Sequence, residues 1–404
     1  MKVRLLATRL TGQTADGIFQ AALFAAIAFN PDHQATPLLM AGSLAVLVGP
    51  YSLIGPWVGT LLDHWDRRLV LLWANVIRAG LIVVSAALLA SSLPEGVVLA
   101  SALGVMGASR FVGAGLSAAL PHVTSRESLV TDNAVFTTLG GFAVVIGLGI
   151  AAGARLIVGG DDVGSALTML IGAGFALTAG LLARSFPARS LGPDDGESPP
   201  ASLPSALANG WRRGAAAVVH TPTVAVALAA IGAHRWVFGM NSLVLLVLAN
   251  HAGVSTGLRR FLLLAGATAV GALLAALTTP ILARRIGRGR TLASGLAVGV
   301  LAQSTLLTFN LDLLVGAAVV LGWVGQTVKL CGDVAMQLDI ADDIRGEVFA
   351  LQDAVFNLTF VAAVFTTAVL LPDDGRATGL VLLGAVVYAA ALVGVVRRHP
   401  ATIR

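Results

Sequence analysis

A single cysteine, Cys331, is too few for an intrachain disulfide or a thiolate metal cluster. Charge is scarce as well: Asp, Glu, Lys and Arg make up 12% of the 404 residues, about half of the roughly 25% found in soluble domains. Nothing alternates apolar and polar with a period of two over about ten residues, which excludes an outer-membrane barrel. No glycine-rich phosphate loop of the ATPase type occurs, and the histidines show no metal-ligand spacing. No metal, no cofactor and no catalytic activity are therefore expected. What is abundant is hydrocarbon, with 56% hydrophobic residues and a mean hydropathy of +0.86. Such a chain is an integral membrane protein, and without an ATP site it must draw on a gradient. The formal charge of +5 reads as arginine retained in loops, so no nucleic-acid partner is expected.

About 20 apolar residues cross a hydrocarbon core. Twelve such segments can be drawn, at 5–29, 38–62, 69–92, 95–119, 131–158, 163–185, 221–250, 258–282, 290–309, 311–338, 347–371 and 375–397. The expected fold class is all-α and polytopic. Lys2 and Arg4 precede an apolar run without a small-residue cleavage site, which reads as a retained first span. Arg67, Arg68, Arg126, Arg184, Arg284, Arg285, Arg397 and Arg398 fall on one side of the spans, so both termini are expected to be cytoplasmic.

Between Arg184 and Trp211 the chain is polar and rich in Pro and Gly, with no prospect of a firm helix. This divides it into an N-terminal bundle (1–185), a linker (186–212) and a C-terminal bundle (213–404). The two halves repeat. Arg110 through Gly113 matches Lys329 through Gly332 at a shift of 219, Asn133 through Phe136 matches Asp353 through Phe356 at 220, and Gly59, Asp63 and Arg67 match Pro280, Arg284 and Arg288 at 221. Two pseudo-symmetric six-helix bundles are expected.

Ionisable side chains within spans are costly and usually mark function. Asp16 lies in span 1, Arg110 in span 4, His234 and Arg235 in span 7, and Lys329 and Asp333 in span 10. Asp16 and Arg235 stand 219 apart, the repeat offset, and are expected to form a switch in which Asp16 titrates. Lys329 and Asp333 share a helix face at a spacing of four and are expected to form an inner gate pair. The bland alternative for each is a buried ion pair that only fixes packing. Arg78 in span 3 is read as structural.

The stretch Gly59-x-x-x-Asp63-x-x-x-Arg67-Arg68 resembles the loop between helices 2 and 3 of the major facilitator superfamily of secondary transporters. His64 and Asp66 depart from it, where the family has a basic residue and a glycine. The resemblance implies that Gly59, Asp63, Arg67 and Arg68 form a cytoplasmic gate motif, with Asp63 facing unpaired amides at 346–350, and that helices 1, 4, 7 and 10 line the substrate cavity. Residues 12–20, Asn75 through Ala79 and Asp343 through Ala350 are similar to the bacterial enterobactin-exporter-like and macrolide-efflux-like branch. Gly141, Gly147, Gly149 and Gly153 form a glycine-rich face similar to that of exporters on helix 5. These likenesses imply a proton-coupled antiporter for efflux of an organic amphiphile across the bacterial inner membrane. The alternatives are a lipid or lysolipid flippase of the same fold and a non-transporting membrane receptor or scaffold. The expected partners are a small organic or lipid-like substrate, protons and the bilayer, with the protein a monomer.

Overall fold

The computed structural model describes residues 1–28, 36–62, 65–91, 93–125, 128–192, 203–251, 254–308, 310–372 and 377–398. Among them the chain is helical throughout, with no strand. The helices are α1 (Lys2–Ala28), α2 (Pro37–Leu62), α3 (Arg67–Ala90), α4 (Glu95–Ala119), α5 (Leu129–Val158), α6 (Asp162–Arg184), α7 (Leu203–His220), α8 (Pro222–His251), α9 (Val254–Ile286), α10 (Arg288–Thr305), α11 (Leu311–Asp339), α12 (Asp342–Leu370) and α13 (Thr378–Arg398). Runs of Leu, Ala and Val favour the helix, and short polar residues start it. The Asp161 side chain accepts from Gly164 N at 2.8 Å to begin α6, and Asn310 accepts from Asp312 N at 3.0 Å to begin α11. Glycines in left-handed conformations close α5 and α9, Gly159 at φ +97° and Gly287 at φ +85°.

Ten helices are long and apolar enough to cross a membrane among the described residues, where the sequence pattern gives twelve. The shortfall lies at the start of the chain. Helix α1 interrupts its apolar run with Gln13, Thr14, Asp16 and Gln20, and the side chains of the second half of α2 lie outside the described residues, which leaves Pro37–Gly49 as its described apolar stretch. The outer faces of the helices bear Leu156, Ile157, Leu277, Leu301 and Val369, each at least 70% exposed. In water such surface would promote aggregation, but against lipid it is solvated.

The chain forms two compact units, Met1–Pro204 and Ser205–Arg404. In the first, α1 packs on α2, α4, α5 and α6, α3 lies between α4 and α6, and α2 covers α4. In the second, α8 packs on α9, α11, α12 and α13, α10 lies between α11 and α13, and α9 covers α11. These principal packings of the first unit thus recur in the second, α1 corresponding to α8, α3 to α10 and α2 to α9. The core of the first unit joins Phe19 and Leu23 of α1 to Ile82 of α3, Met106 of α4 and Met169 of α6.

Lipid removes most of the hydrophobic drive between helices, leaving close packing to hold them. Gly17 and Gly147 make the α1–α5 crossing: a Cβ on the first would overlap Val144 O, and on the second Thr14 O. Gly271 and Gly322 do the same for α9 and α11, against Val319 O and Thr268 O. Of the glycine-rich face expected on the fifth span, Gly147 alone makes such an approach, since Gly141, Gly149 and Gly153 have open space around the Cβ position.

Of the expected linker, 186–192 and 203–212 are among the described residues. Phe186 and Leu191 are buried in the first unit beside Leu71 and Leu116, and α7 starts at Leu203, inside the stretch 186–212. Apolar residues set among the Pro and Gly account for both. Arg213 of α7 pairs with Glu347 of α12, and a Cβ at Gly214 would lie 3.0 Å from Glu347 O.

Candidate functional site

Midway along α1, the Asp16 carboxylate accepts hydrogen bonds from Arg78 Nη1 at 2.7 Å and Ser109 Oγ at 2.6 Å. Arg78 comes from α3 and Ser109 from α4, so one carboxylate ties three helices together. Arg78 Nη2 donates to Asn75 Oδ1 at 2.7 Å, and Asn75 Nδ2 donates to Leu71 O at 2.7 Å. The Arg78 side chain is fully buried, whereas that of Asp16 keeps 15% exposure. Gly12, one turn before Asp16, lies beside the guanidinium, where a Cβ would stand 3.4 Å from Arg78 Nη2, in contact with it. Arg78 is thus the cation that pairs with Asp16 within the first unit. The sequence signal was the spacing of Asn75 and Arg78, which puts both on one face of α3.

Arg235 of α8 has other company. Its guanidinium carbon stands 3.9 Å from the centroid of the Phe356 ring, 4.7 Å from Phe360 and 5.3 Å from Phe238, and Nε donates to Phe356 O at 2.9 Å. Three aromatic faces and a carbonyl thereby stabilise a charge that is 9% exposed. Its neighbour His234 points another way, because adjacent helical residues project about 100° apart. Its Nδ1 is 2.7 Å from Tyr388 Oη on α13, and its other edge lies over Gly325, where a Cβ would overlap Nε2. Asn241 and Gln303 exchange two hydrogen bonds, at 2.8 and 3.1 Å, bridging α8 to α10.

Lys329 Nζ donates to Asp333 Oδ2 at 2.6 Å, the i,i+4 pair that the spacing implies. Gln352 of α12 adds a bond from Nε2 to Asp333 Oδ1 at 2.6 Å, for which the sequence held no signal. Arg110 lies half-buried on α4.

Of the gate motif, Gly59 lies in α2 and Asp63 outside the described residues. Arg67 holds its own half together: its N–H donates to Gly192 O at 3.2 Å, and Nη1 donates to Ala118 O at 3.0 Å and Leu191 O at 3.4 Å. It thereby satisfies carbonyls near the end of α4 and of the segment after α6. Asp66, which departs from the family's glycine, caps α3 by accepting from Arg68 N at 3.0 Å, and also accepts from Arg189 N at 3.3 Å. Its φ of −55° does not call for glycine. The corresponding position of the second half, 221 residues on, is Gly287 with φ +85°. The amides at 346–350, expected to be unpaired, lie inside α12, which starts at Asp342.

At the start of α5, ahead of its membrane-crossing stretch Val135–Val158 and so outside it although the sequence pattern began the span at 131, Asp132 is 6% exposed and pairs with Lys2. The Lys2 hydrogen bond, followed by those from Thr124 and Ser128, holds its carboxyl below the usual carboxylate range.

No family model matches the chain. Curated relatives do: an uncharacterized MFS-type transporter of Mycobacterium bovis (strain ATCC BAA-935 / AF2122/97) and one of Mycobacterium tuberculosis (strain ATCC 25618 / H37Rv) are each 42% identical over 394 residues, covering 96% of this chain and 89% of theirs. Among solved structures, the nucleoside transporter NupG superposes with a TM-score of 0.72 at 13% identity, covering 98% of each chain. A bacterial homologue of the iron transporter ferroportin, in its inward-facing state, gives 0.69 at 16% identity, again with 98% of each chain covered. The fold is shared with both, and the identity to the mycobacterial proteins over nearly the whole chain shows that this protein belongs to the MFS-type transporters of the major facilitator superfamily.

Proposed function

We propose that the protein is a proton-coupled exporter of an organic amphiphile, seated in the bacterial inner membrane with both termini cytoplasmic, and that Asp16 is the coupling acid. The partial likeness to the enterobactin-exporter-like and macrolide-efflux-like branch supports the direction of transport. The observation that carries the coupling is the Asp16–Arg78 pair, a carboxylate with residual exposure held against a fully buried guanidinium. Arginine stays charged throughout, so Asp16 is the member that titrates. When a proton binds Asp16, the carboxylate loses its charge and Arg78 is left buried with the neutral Asn75 and Ser109. Removing one partner of a buried pair costs about 3–5 kcal/mol, enough to shift a conformational equilibrium by roughly two to three and a half orders of magnitude at ~1.4 kcal/mol per decade. Lys329, Asp333 and Gln352 form a second ionic cluster whose Lys329 remains 40% exposed, the accessibility that an inner gate pair needs.

The test is uphill transport in proteoliposomes under an imposed pH gradient, with a protonophore control. Asp16→Asn should retain cargo binding and lose gradient-driven accumulation. Full accumulation in that variant would reduce the Asp16–Arg78 pair to a packing element.

A further inference from the structure

The second unit has a partly open cavity of about 230 Å³ among α8, α9, α11 and α13. Its walls are hydrocarbon, with Leu248 of α8, Leu264 of α9 and Leu314 and Leu321 of α11 prominent. Along α8 it runs from His234 to Leu248, fourteen residues or about 21 Å of helix. The His234 end is polar and also offers Tyr388, Asn241 and Ser242. Among the described lining residues none is Asp, Glu, Lys or Arg, and the Arg235 guanidinium next door is engaged by Phe238, Phe356 and Phe360.

We propose that this cavity binds a neutral single-chain amphiphile, a long-chain alcohol or amide, with its chain along Leu248, Leu264 and Leu314 and its head at Asn241 and Ser242. Three features select this ligand. A long, narrow, leucine-lined space in a chain surrounded by lipid is filled most cheaply by a hydrocarbon chain. A charged head would enter without a counter-ion, which is costly in an apolar cavity. A plain alkane would leave the polar end unused: Ser242 Oγ donates to Phe238 O and keeps its acceptor sites, and Asn241 Nδ2 keeps a hydrogen beyond the one given to Gln303. A hydroxyl or an N–H amide, donor and acceptor at once, satisfies both kinds of group. The site lies within one unit, and its occupancy does not depend on Asp16 coupling transport to protons.

The experiment uses full-length protein in phospholipid nanodiscs and a long-chain alcohol carrying a photoreactive diazirine, with labelled peptides mapped by mass spectrometry. Saturable labelling of α8, α9 and α11 is expected, displaced by unlabelled alcohol and not by an alkyl trimethylammonium of equal chain length. Ala265 lines the cavity and is itself exposed, so Ala265→Trp obstructs it without burying bulk in the core. That variant should lose about tenfold in apparent affinity, the low end of the effect of poor fit in an apolar pocket. Labelling that does not saturate, or that spreads evenly to outward-facing positions such as Leu156 and Leu277, overturns the proposal. Equal displacement by the cationic competitor, which needs no variant, overturns it as well.

Discussion

Arg78 and Arg235 are both buried arginines within apolar helices, yet they are stabilised by opposite means, and substitution should expose the difference. Arg78→Met leaves the Asp16 carboxylate without its cation and should cost about 3 kcal/mol or more in thermal unfolding of the detergent-solubilised protein. Adding Asp16→Asn should recover part of that loss, because the uncompensated charge then disappears. Strictly additive losses in the double variant would show that the two side chains do not depend on each other. For Arg235, substitution by Lys keeps the charge but loses the flat guanidinium on Phe356 and the Nε bond to Phe356 O. Arg235→Lys should therefore still destabilise by about 1–2 kcal/mol, the worth of a desolvated cation–π contact. Unchanged melting would mean that charge alone matters there.

Among the elements, the crossing of α1 and α5 is set by backbone contact at Gly17 and Gly147. Gly147→Ala should force the helices apart and cost about 1–3 kcal/mol. Gly141→Ala, with open space around it, should be neutral or gain up to about 1 kcal/mol from helix propensity. The two melting curves checked together separate packing from propensity, and a similar loss at both sites would refute the crossing. The start of α5 carries a pH dependence. Because the Asp132 carboxyl is lowered in the folded protein by Lys2, Thr124 and Ser128, its contribution is present above the unfolded value of about 4 and fades as the pH falls below it. Wild-type protein should therefore lose more stability than Asp132→Asn between neutral and acid pH, as measured by melting temperature across that range. Parallel loss in both would remove Asp132 from the account.

For the whole molecule, the division into Met1–Pro204 and Ser205–Arg404 predicts that segments 1–192 and 203–404, expressed separately in membranes, each extract as monodisperse helical protein with a cooperative melt. Aggregation of either alone would show that the halves are not independent folding bodies. Much of this organisation was legible from periodicity and composition. Long apolar runs in a chain this poor in charge have no fold except membrane-spanning helices, and the repeat offset near 220 residues aligned Arg288 with Arg67. The i,i+4 pair of Lys329 and Asp333 was legible because local helical geometry alone brings them together. What sequence could not supply was every partner reached through space. Asp16 meets Arg78 and Ser109 across separations of 62 and 93 residues, and Arg235 meets Phe356 across 121. Those pairings depend on which helix lies beside which and at what rotation, as do the choice of Gly147 over Gly141 for the α1–α5 contact and the leucine-lined cavity beside His234. One-dimensional spacing fixes the face a residue occupies on its own helix, but only the packed bundle decides what that face meets.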